Sequence, residues 1–142
     1  MAENGAAVGV VVVSHGQLAT ELLNAAEMIV GDLPKFAAVS IGWHDNVDVA
    51  RAAIEQAIAR VDAGRGVLLL TDMFGGTPSN LGMSFLSEGK VEVVTGVNLP
   101  MLIRLARANP AKDIATLAAE LCEHGRLAIR VASALLRGEP GA

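Results

Sequence analysis

The chain has 142 residues, 52% hydrophobic and only 3% aromatic, so one domain spanning residues 1–142 can bury a core of aliphatic side chains. With 11 basic and 15 acidic residues the net charge is −4, which argues against a nucleic-acid binder that needs a basic surface. The single cysteine excludes an internal disulfide and is consistent with a reducing compartment. No segment reads as a signal peptide or a membrane span, so we expect a cytoplasmic protein without direct membrane insertion.

Apolar runs and helical periodicities alternate along the first half of the chain. Residues 8–13 form a continuous β-branched run, which is typical of a strand buried on both faces. Apolar residues then recur at helical spacing over residues 18–30. A second strand is predicted over residues 36–41, and a second amphipathic helix over residues 47–61. Residues 67–70 predict a third buried strand.

A glycine turn and a short helix follow the third strand. Gly75 and Gly76 allow the chain to turn, and Thr77 reads as an N-cap with Pro78 at the first helical position. Residues 91–95 predict a fourth strand. Strands that alternate with helices predict a three-layer, doubly wound α/β domain. We expect a mainly parallel sheet of four strands in the order 2-1-3-4.

The C-terminal region is helical in its periodicity but less clearly delimited. Asn98 is placed to cap a helix that runs to about Ala108, and the Asn-Pro pair at residues 109–110 can begin another. Residues 122–137 keep a helical period, although Gly125 can interrupt it. The alternatives for this segment are a strand or an arm that contacts a partner.

Two chemically reactive side chains come directly after predicted strands. In a doubly wound sheet, ligands bind at the carboxyl ends of the strands, where the strand order reverses. His15 follows strand one and Asp72 follows strand three, so we expect the two to meet there. A carboxylate bonded to one imidazole nitrogen orients the ring and leaves the other nitrogen as a nucleophile. On these residues alone, a structural histidine and an aspartate that caps a turn remain the alternative.

Residues 72–80 add a second element to this predicted site. Gly75 and Gly76 before a helix start present free backbone amides, which are the ingredients of a phosphate cradle, and the hydroxyls of Thr77 and Ser79 can add donors. The segment lacks the Gly-Lys-Ser/Thr ending of a Walker loop, so it makes no case for nucleotide binding. The alternative is that the glycines only reverse the chain.

Other candidate side chains have weaker support. Trp43 and His44 lie on the loop after strand two, where Trp43 suits either a partner surface or packing over a helix end. Cys122 is interpreted as a small core residue rather than a nucleophile. A metal site made of His15, His44 and Asp72 is not supported by their spacing, so no metal or cofactor is expected.

Three segments together resemble the enzyme IIA component of the mannose/fructose/sorbose class of the phosphotransferase system (PTS). They are Val-Val-Ser-His-Gly at residues 12–16, Leu-Thr-Asp-Met-Phe-Gly-Gly-Thr-Pro-Ser-Asn at residues 70–80, and Gly-Val-Asn-Leu-Pro-Met-Leu at residues 96–102. The resemblance covers roughly residues 8–136. The order and spacing of all three segments make it much more specific than any one of them.

The resemblance implies a phosphohistidine carrier in which His15 accepts a phosphoryl group from HPr and passes it to a histidine of an enzyme IIB. Asp72 matches the family aspartate that hydrogen-bonds the active-site imidazole, and Thr77 falls where the family has a Ser or Thr near the phosphoryl group. Members are typically homodimers with exchanged C-terminal segments, which suits the stretch after Cys122.

Two features of the sequence leave the pathway open. The loop at residues 42–45 departs from the mannose members, and we expect no fused enzyme IIB domain. The chain can therefore serve a sugar permease or a regulatory relay that uses the same phosphorylation as a signal. A third hypothesis is a non-catalytic α/β domain that holds a small anion at the glycine loop.

Overall fold

The structure is a computed structural model that describes residues 7–108 and 112–139. The helix start expected at residues 109–110 lies outside these ranges. Among the helices of the described residues, none combines the length and the apolar composition needed to cross a bilayer.

Every predicted strand is present, and helices separate the strands along the chain. The elements of the described residues are β1 (Gly9–His15), α1 (Leu18–Val30), β2 (Phe36–Ile41), α2 (Val47–Val61), β3 (Val67–Thr71), α3 (Thr77–Met83), β4 (Val91–Thr95), α4 (Leu99–Ala106), α5 (Ile114–Leu127) and α6 (Ala132–Leu136). β1 extends two residues past its predicted end, so His15 closes the strand instead of following it.

The four strands form one parallel sheet in the order β2-β1-β3-β4, as predicted. On one side of β1, Val13 lies opposite Thr71 of β3, and on the other side His15 lies opposite Ile41 of β2. The chain leaves β1 toward one edge for β2 and returns to the other side for β3. The strand order therefore reverses between β1 and β3, which is where α/β sheets bind their ligands.

Two apolar layers enclose this sheet. Successive strand residues point to opposite faces, so Val10 and Val12 join the layer of α1, α4 and α5, while Val11 and Val13 join the layer of α2 and α3. All four valines are at most 1% exposed. Burying each one stabilises the fold by about 1.5–3 kcal/mol. The sheet is thus a packed platform whose carboxyl edge carries the polar side chains.

The helix starts near that edge agree only in part with the prediction. Asn98 caps α4 as expected, because its side chain accepts a hydrogen bond from the Met101 amide at 3.1 Å. The prediction that Thr77 caps α3 is wrong, since α3 begins at Thr77 and Gly76 occupies the N-cap position without a side-chain cap. The φ of Gly76 is +92°, a conformation that residues with a Cβ rarely adopt.

Gly125 lies within α5 and does not interrupt it, although the sequence allowed for a break at this position. A Cβ at this position would lie 2.7 Å from the sulfur of Met101, so the glycine lets α5 approach α4 closely. After α5 the described residues form α6 and no strand. Cys122 is half-buried rather than part of the core.

Candidate active site at the carboxyl edge of the sheet

The ends of β1 and β3 bring His15 and Asp72 together, as their positions after neighbouring strands predicted. His15 is the last residue of β1, and Asp72 directly follows the last residue of β3. The backbone around both is held by the sheet, since the Asp72 amide donates to the Val13 carbonyl at 3.2 Å and the Gly16 amide donates to the Ile41 carbonyl at 2.7 Å. Rigid strand ends therefore position both side chains.

One oxygen of the Asp72 carboxylate accepts two hydrogen bonds from His15. Oδ2 accepts from the backbone amide of His15 at 2.9 Å and lies 2.8 Å from the imidazole Nδ1. Because an ionised carboxylate only accepts, Nδ1 carries the proton in this contact. The other ring nitrogen, Nε2, then keeps its lone pair in the neutral imidazole. The side chain of His15 is 52% exposed, so this nitrogen is accessible.

Asp72 is held in its charged form. Partial burial acts to raise the pKa of its carboxyl group, but the hydrogen bonds from the amide and imidazole of His15, the attraction to His15 and the hydrogen bond from the Met73 amide together outweigh it. The net result is a pKa below the ordinary value of 3.8. Asp72 is therefore a carboxylate at neutral pH.

The glycine turn after Asp72 packs against the reactive edge of the imidazole. A Cβ built on Gly76 would lie 3.1 Å from both Nε2 and Cε1 of His15. Gly75 and Gly76 both have positive φ, and in the described part of the chain the amides of Gly75, Gly76 and Thr77 have no backbone acceptor. Thr77 is exposed beside them. Backbone amides in such a turn can accommodate an anion next to Nε2.

Two serines that sequence reasoning missed, the buried Ser14 and the half-buried Ser40, tie the start of α1 to the sheet behind His15. The Oγ of Ser14 accepts from the Ala19 amide at 2.6 Å, and Ser40 lies 2.9 Å from the Thr20 hydroxyl while accepting from the Thr20 amide at 3.3 Å. A polar residue near the end of each of two otherwise apolar strands was the available signal. The two serines satisfy first-turn amides of α1, which fixes the helix beside the site.

An open cleft of about 510 Å³ lies over His15. Trp43, Asp45 and Thr77 are among its lining residues, whereas His44 is not. The loop that carries Trp43 is closed by Asp45, whose carboxylate accepts from the Gly42 amide at 2.6 Å. Trp43 is 98% exposed, so it packs over no helix end of the described structure and projects at the mouth of the cleft.

The remaining candidates lie apart from the cleft or form no ligand set. Ser79 is fully buried in α3 and is not among the lining residues of the cleft, so its hydroxyl does not join that of Thr77 there. Within residues 7–108 and 112–139, no three His, Cys, Asp or Glu side chains converge as metal ligands would. The chemistry that this arrangement supports is nucleophilic, through Nε2 of His15.

Comparison with known proteins points to one family. The sequence profile of the family described as PTS system fructose IIA component matches residues 9–134. The mannose-specific EIIAB component of Escherichia coli (strain K12) is 33% identical over 133 residues, which cover 87% of this chain and 40% of that protein. This chain therefore spans less than half of that relative. The fructose-specific EIIA component of Bacillus subtilis (strain 168) is 30% identical over 99 residues, covering 69% of this chain and 68% of that protein.

Solved structures agree with the sequence comparisons. The mannose/sorbose specific IIA subunit from Enterococcus faecalis superposes with a TM-score of 0.77 at 33% identity, over 88% of this chain and 94% of that chain. The PTS IIA protein associated with the fucose utilization operon of Streptococcus pneumoniae superposes with a TM-score of 0.81 at 27% identity, over 92% and 96%. Sequence and fold thus agree that this chain belongs to the family of fructose- and mannose-type IIA components of the PTS.

Proposed function

We propose that the chain is a cytoplasmic phosphohistidine carrier of the sugar PTS, with residues 1–142 acting as one IIA domain. In this proposal Nε2 of His15 accepts a phosphoryl group from HPr and passes it to an enzyme IIB. The observation that carries the proposal is the 2.8 Å contact between Nδ1 and Asp72, which leaves Nε2 as the free nucleophile at the switch point. Membership of the IIA family is the reason for proposing HPr and an enzyme IIB as the partners.

The transfer follows from the geometry of the site. The Nε2 lone pair attacks the phosphorus of phosphorylated HPr, and the new N–P bond forms as the bond to the donor nitrogen breaks. Because Nδ1 keeps its proton, the phosphorylated ring is positively charged, and the Asp72 carboxylate balances that charge. The amides of Gly75, Gly76 and Thr77 are placed to stabilise the oxygens of the transferring group. Attack on the phosphoryl group by an enzyme IIB histidine restores neutral His15.

The surroundings of the cleft suit a protein partner. Trp43 lines the cleft, and Met73 and Phe74 follow Asp72 directly in the chain; all three are large apolar side chains exposed to solvent. Docked interfaces bury such side chains at their centre and are enriched in aromatic residues and methionine. HPr and enzyme IIB would therefore dock on this rim in turn, and docking would exclude water from the phosphoryl group.

We further propose that two chains pair through the open edge of β4. This strand ends the sheet, and a groove of about 600 Å³, lined in part by Thr95 and Cys122, lies between it and α5. Leu135 and Leu136 of α6 are exposed on the single chain. Exchange of C-terminal segments between two chains would cover both the edge of β4 with its groove and these two leucines. Light scattering should give a dimer that Leu136→Asp weakens, and a monomeric wild type would contradict this pairing.

Intact-mass analysis after incubation with phosphoenolpyruvate, enzyme I and HPr tests the carrier function. The wild type should gain one acid-labile phosphoryl group, and His15→Ala should gain none. His44→Ala is the matched control, since His44 is the nearby histidine that does not line the cleft, and it should be phosphorylated normally. Phosphorylation of His15→Ala would refute the assignment of His15. An unmodified wild type beside demonstrably phosphorylated HPr would refute the carrier function.

A further inference from the structure

Several cationic side chains lie together at the groove between α4 and α5. Arg104, in the last turn of α4, and Arg107, the residue that caps the end of this helix, line two adjoining clefts of about 250 and 310 Å³. Lys112 lines the smaller cleft and His124 the larger one, so both helices contribute. Three permanently positive side chains therefore border this groove in a chain whose net charge is −4.

Within the described part of the chain, the two arginines have no anionic partner of their own. Across residues 7–108 and 112–139, neither Arg104 nor Arg107 makes a side-chain hydrogen bond or an ion pair. The carboxylate of the groove, Glu120, lies 2.5 Å from Lys112 and is thereby engaged. Like charges one turn apart on a helix repel and cost stability. An anion between the two guanidinium groups would remove that repulsion.

This groove is separate from the cleft over His15. Among the residues that the structure describes, none lines both of them. A Cβ built on Gly66, just before β3, would lie 2.7 Å from the side chain of Ile114, so α5 begins at the amino edge of the sheet. The end of the groove at Arg107 and Lys112 therefore lies at the edge opposite His15. A ligand there would not compete directly for the nucleophile.

We propose that the groove between α4 and α5 binds the phosphate groups of a small phosphorylated metabolite. A guanidinium group presents parallel donors that match two oxygens of a phosphate, and Arg104 and Arg107 border both clefts. Lys112, which is paired with Glu120, borders the smaller cleft, and the half-buried His124 offers a ring nitrogen in the larger one. The two clefts, of about 250 and 310 Å³, have room for a small molecule. The site does not depend on the carrier function proposed above.

Titration of the full chain with inorganic pyrophosphate, followed by backbone amide NMR, tests this site. Saturable shifts are expected at the amides of α4 and α5. Arg104→Gln and Arg107→Gln should each weaken binding about tenfold, which is the loss of one charge-assisted hydrogen bond. Arg107→Lys, which keeps the charge but loses the parallel N–H donors of the guanidinium group, should also weaken pyrophosphate binding. Arg126→Gln removes the same charge at a residue of α5 that lines neither of the two clefts, and it should leave the affinity unchanged.

Each outcome of these titrations either supports the proposal or overturns it. Absence of saturable shifts in α4 and α5, or an equal loss in Arg126→Gln, would overturn the proposal, because only general screening of charge would remain. Selective loss in the Arg104 and Arg107 variants supports it. A parallel titration with ATP then distinguishes the source of the phosphate groups. Tighter binding of ATP indicates a nucleotide, and equal or weaker binding indicates a phosphorylated metabolite without a base.

Discussion

Replacing Asp72 by asparagine removes one charge from the His15 site while keeping the shape of the side chain. The Oδ2 atom accepts from the amide and Nδ1 of His15, and Oδ1 accepts from the Met73 amide at 2.9 Å. An asparagine has one acceptor and one donor group, so in either orientation its NH₂ faces an N–H that it cannot bond. If the NH₂ faces the ring, Nδ1 must accept, the proton moves to Nε2, and the nucleophile is lost.

The magnitude follows from these contacts. Phosphorylation places positive charge on the imidazole, so the bond between Nδ1 and the carboxylate strengthens in the transition state. A hydrogen bond to a charged group contributes about 1.5–3 kcal/mol. Its loss in Asp72→Asn should slow phosphoryl transfer by about 10- to 150-fold. The unpaired donor should also lower the free energy of unfolding by about 1–3 kcal/mol.

Single-turnover rapid quench at saturating phosphorylated HPr measures this rate directly. Asp45→Asn is the matched control, because Asp45 lines the same cleft but bonds the Gly42 amide instead of the ring. Its rate should change far less. The reasoning is refuted if Asp72→Asn transfers at the wild-type rate. An equal slowing by Asp45→Asn would show that only the net charge of the cleft matters.

The lowered pKa of Asp72 adds a pH dependence to the same comparison. Because its pKa is depressed on folding, the stability it contributes is complete above the unfolded value of 3.8 and is lost as the pH falls through the folded pKa. The difference in unfolding free energy between wild type and Asp72→Asn should be constant over the mildly acidic range and should shrink below 3.8. Urea titrations would contradict this if the difference already shrank near neutral pH.

Three further substitutions test other contacts. Gly76→Ala places a methyl group 3.1 Å from the reactive imidazole and should slow transfer about tenfold or more. Gly75 has a similar positive φ, but a methyl group there would meet no other atom within 4 Å, so Gly75→Ala should slow transfer less. Equal effects of the two substitutions would count against the steric argument. Trp43→Ala should raise the HPr concentration needed for half-maximal transfer about tenfold and leave the rate of phosphohistidine hydrolysis unchanged. A change in the hydrolysis rate alone would disprove the docking role. Gly125→Ala should cost about 1–3 kcal/mol in thermal unfolding by pressing on Met101, and an unchanged Tm would be contrary to that packing.

The class of fold and the approximate place of the site were determined by the sequence itself. Continuous apolar runs at residues 8–13 and 67–70 indicate strands covered on both faces, and helical periods between strands require parallel crossovers. Polar residues directly after such runs must lie at the carboxyl edge of the sheet. The sequence alone therefore predicts that His15 and Asp72 meet.

Only the tertiary structure decided the contacts that give the site its chemistry. Periodicity shows which face of an element a residue occupies, but it carries no distance between elements. The sheet register determines that one oxygen of Asp72 serves both the amide and the ring of His15. Gly76 and Gly125 are ordinary glycines in the sequence, where one reads as a turn and the other as a helix breaker. Their actual roles depend on how closely the imidazole and Met101 approach them, because close packing is set by atoms distant in the chain.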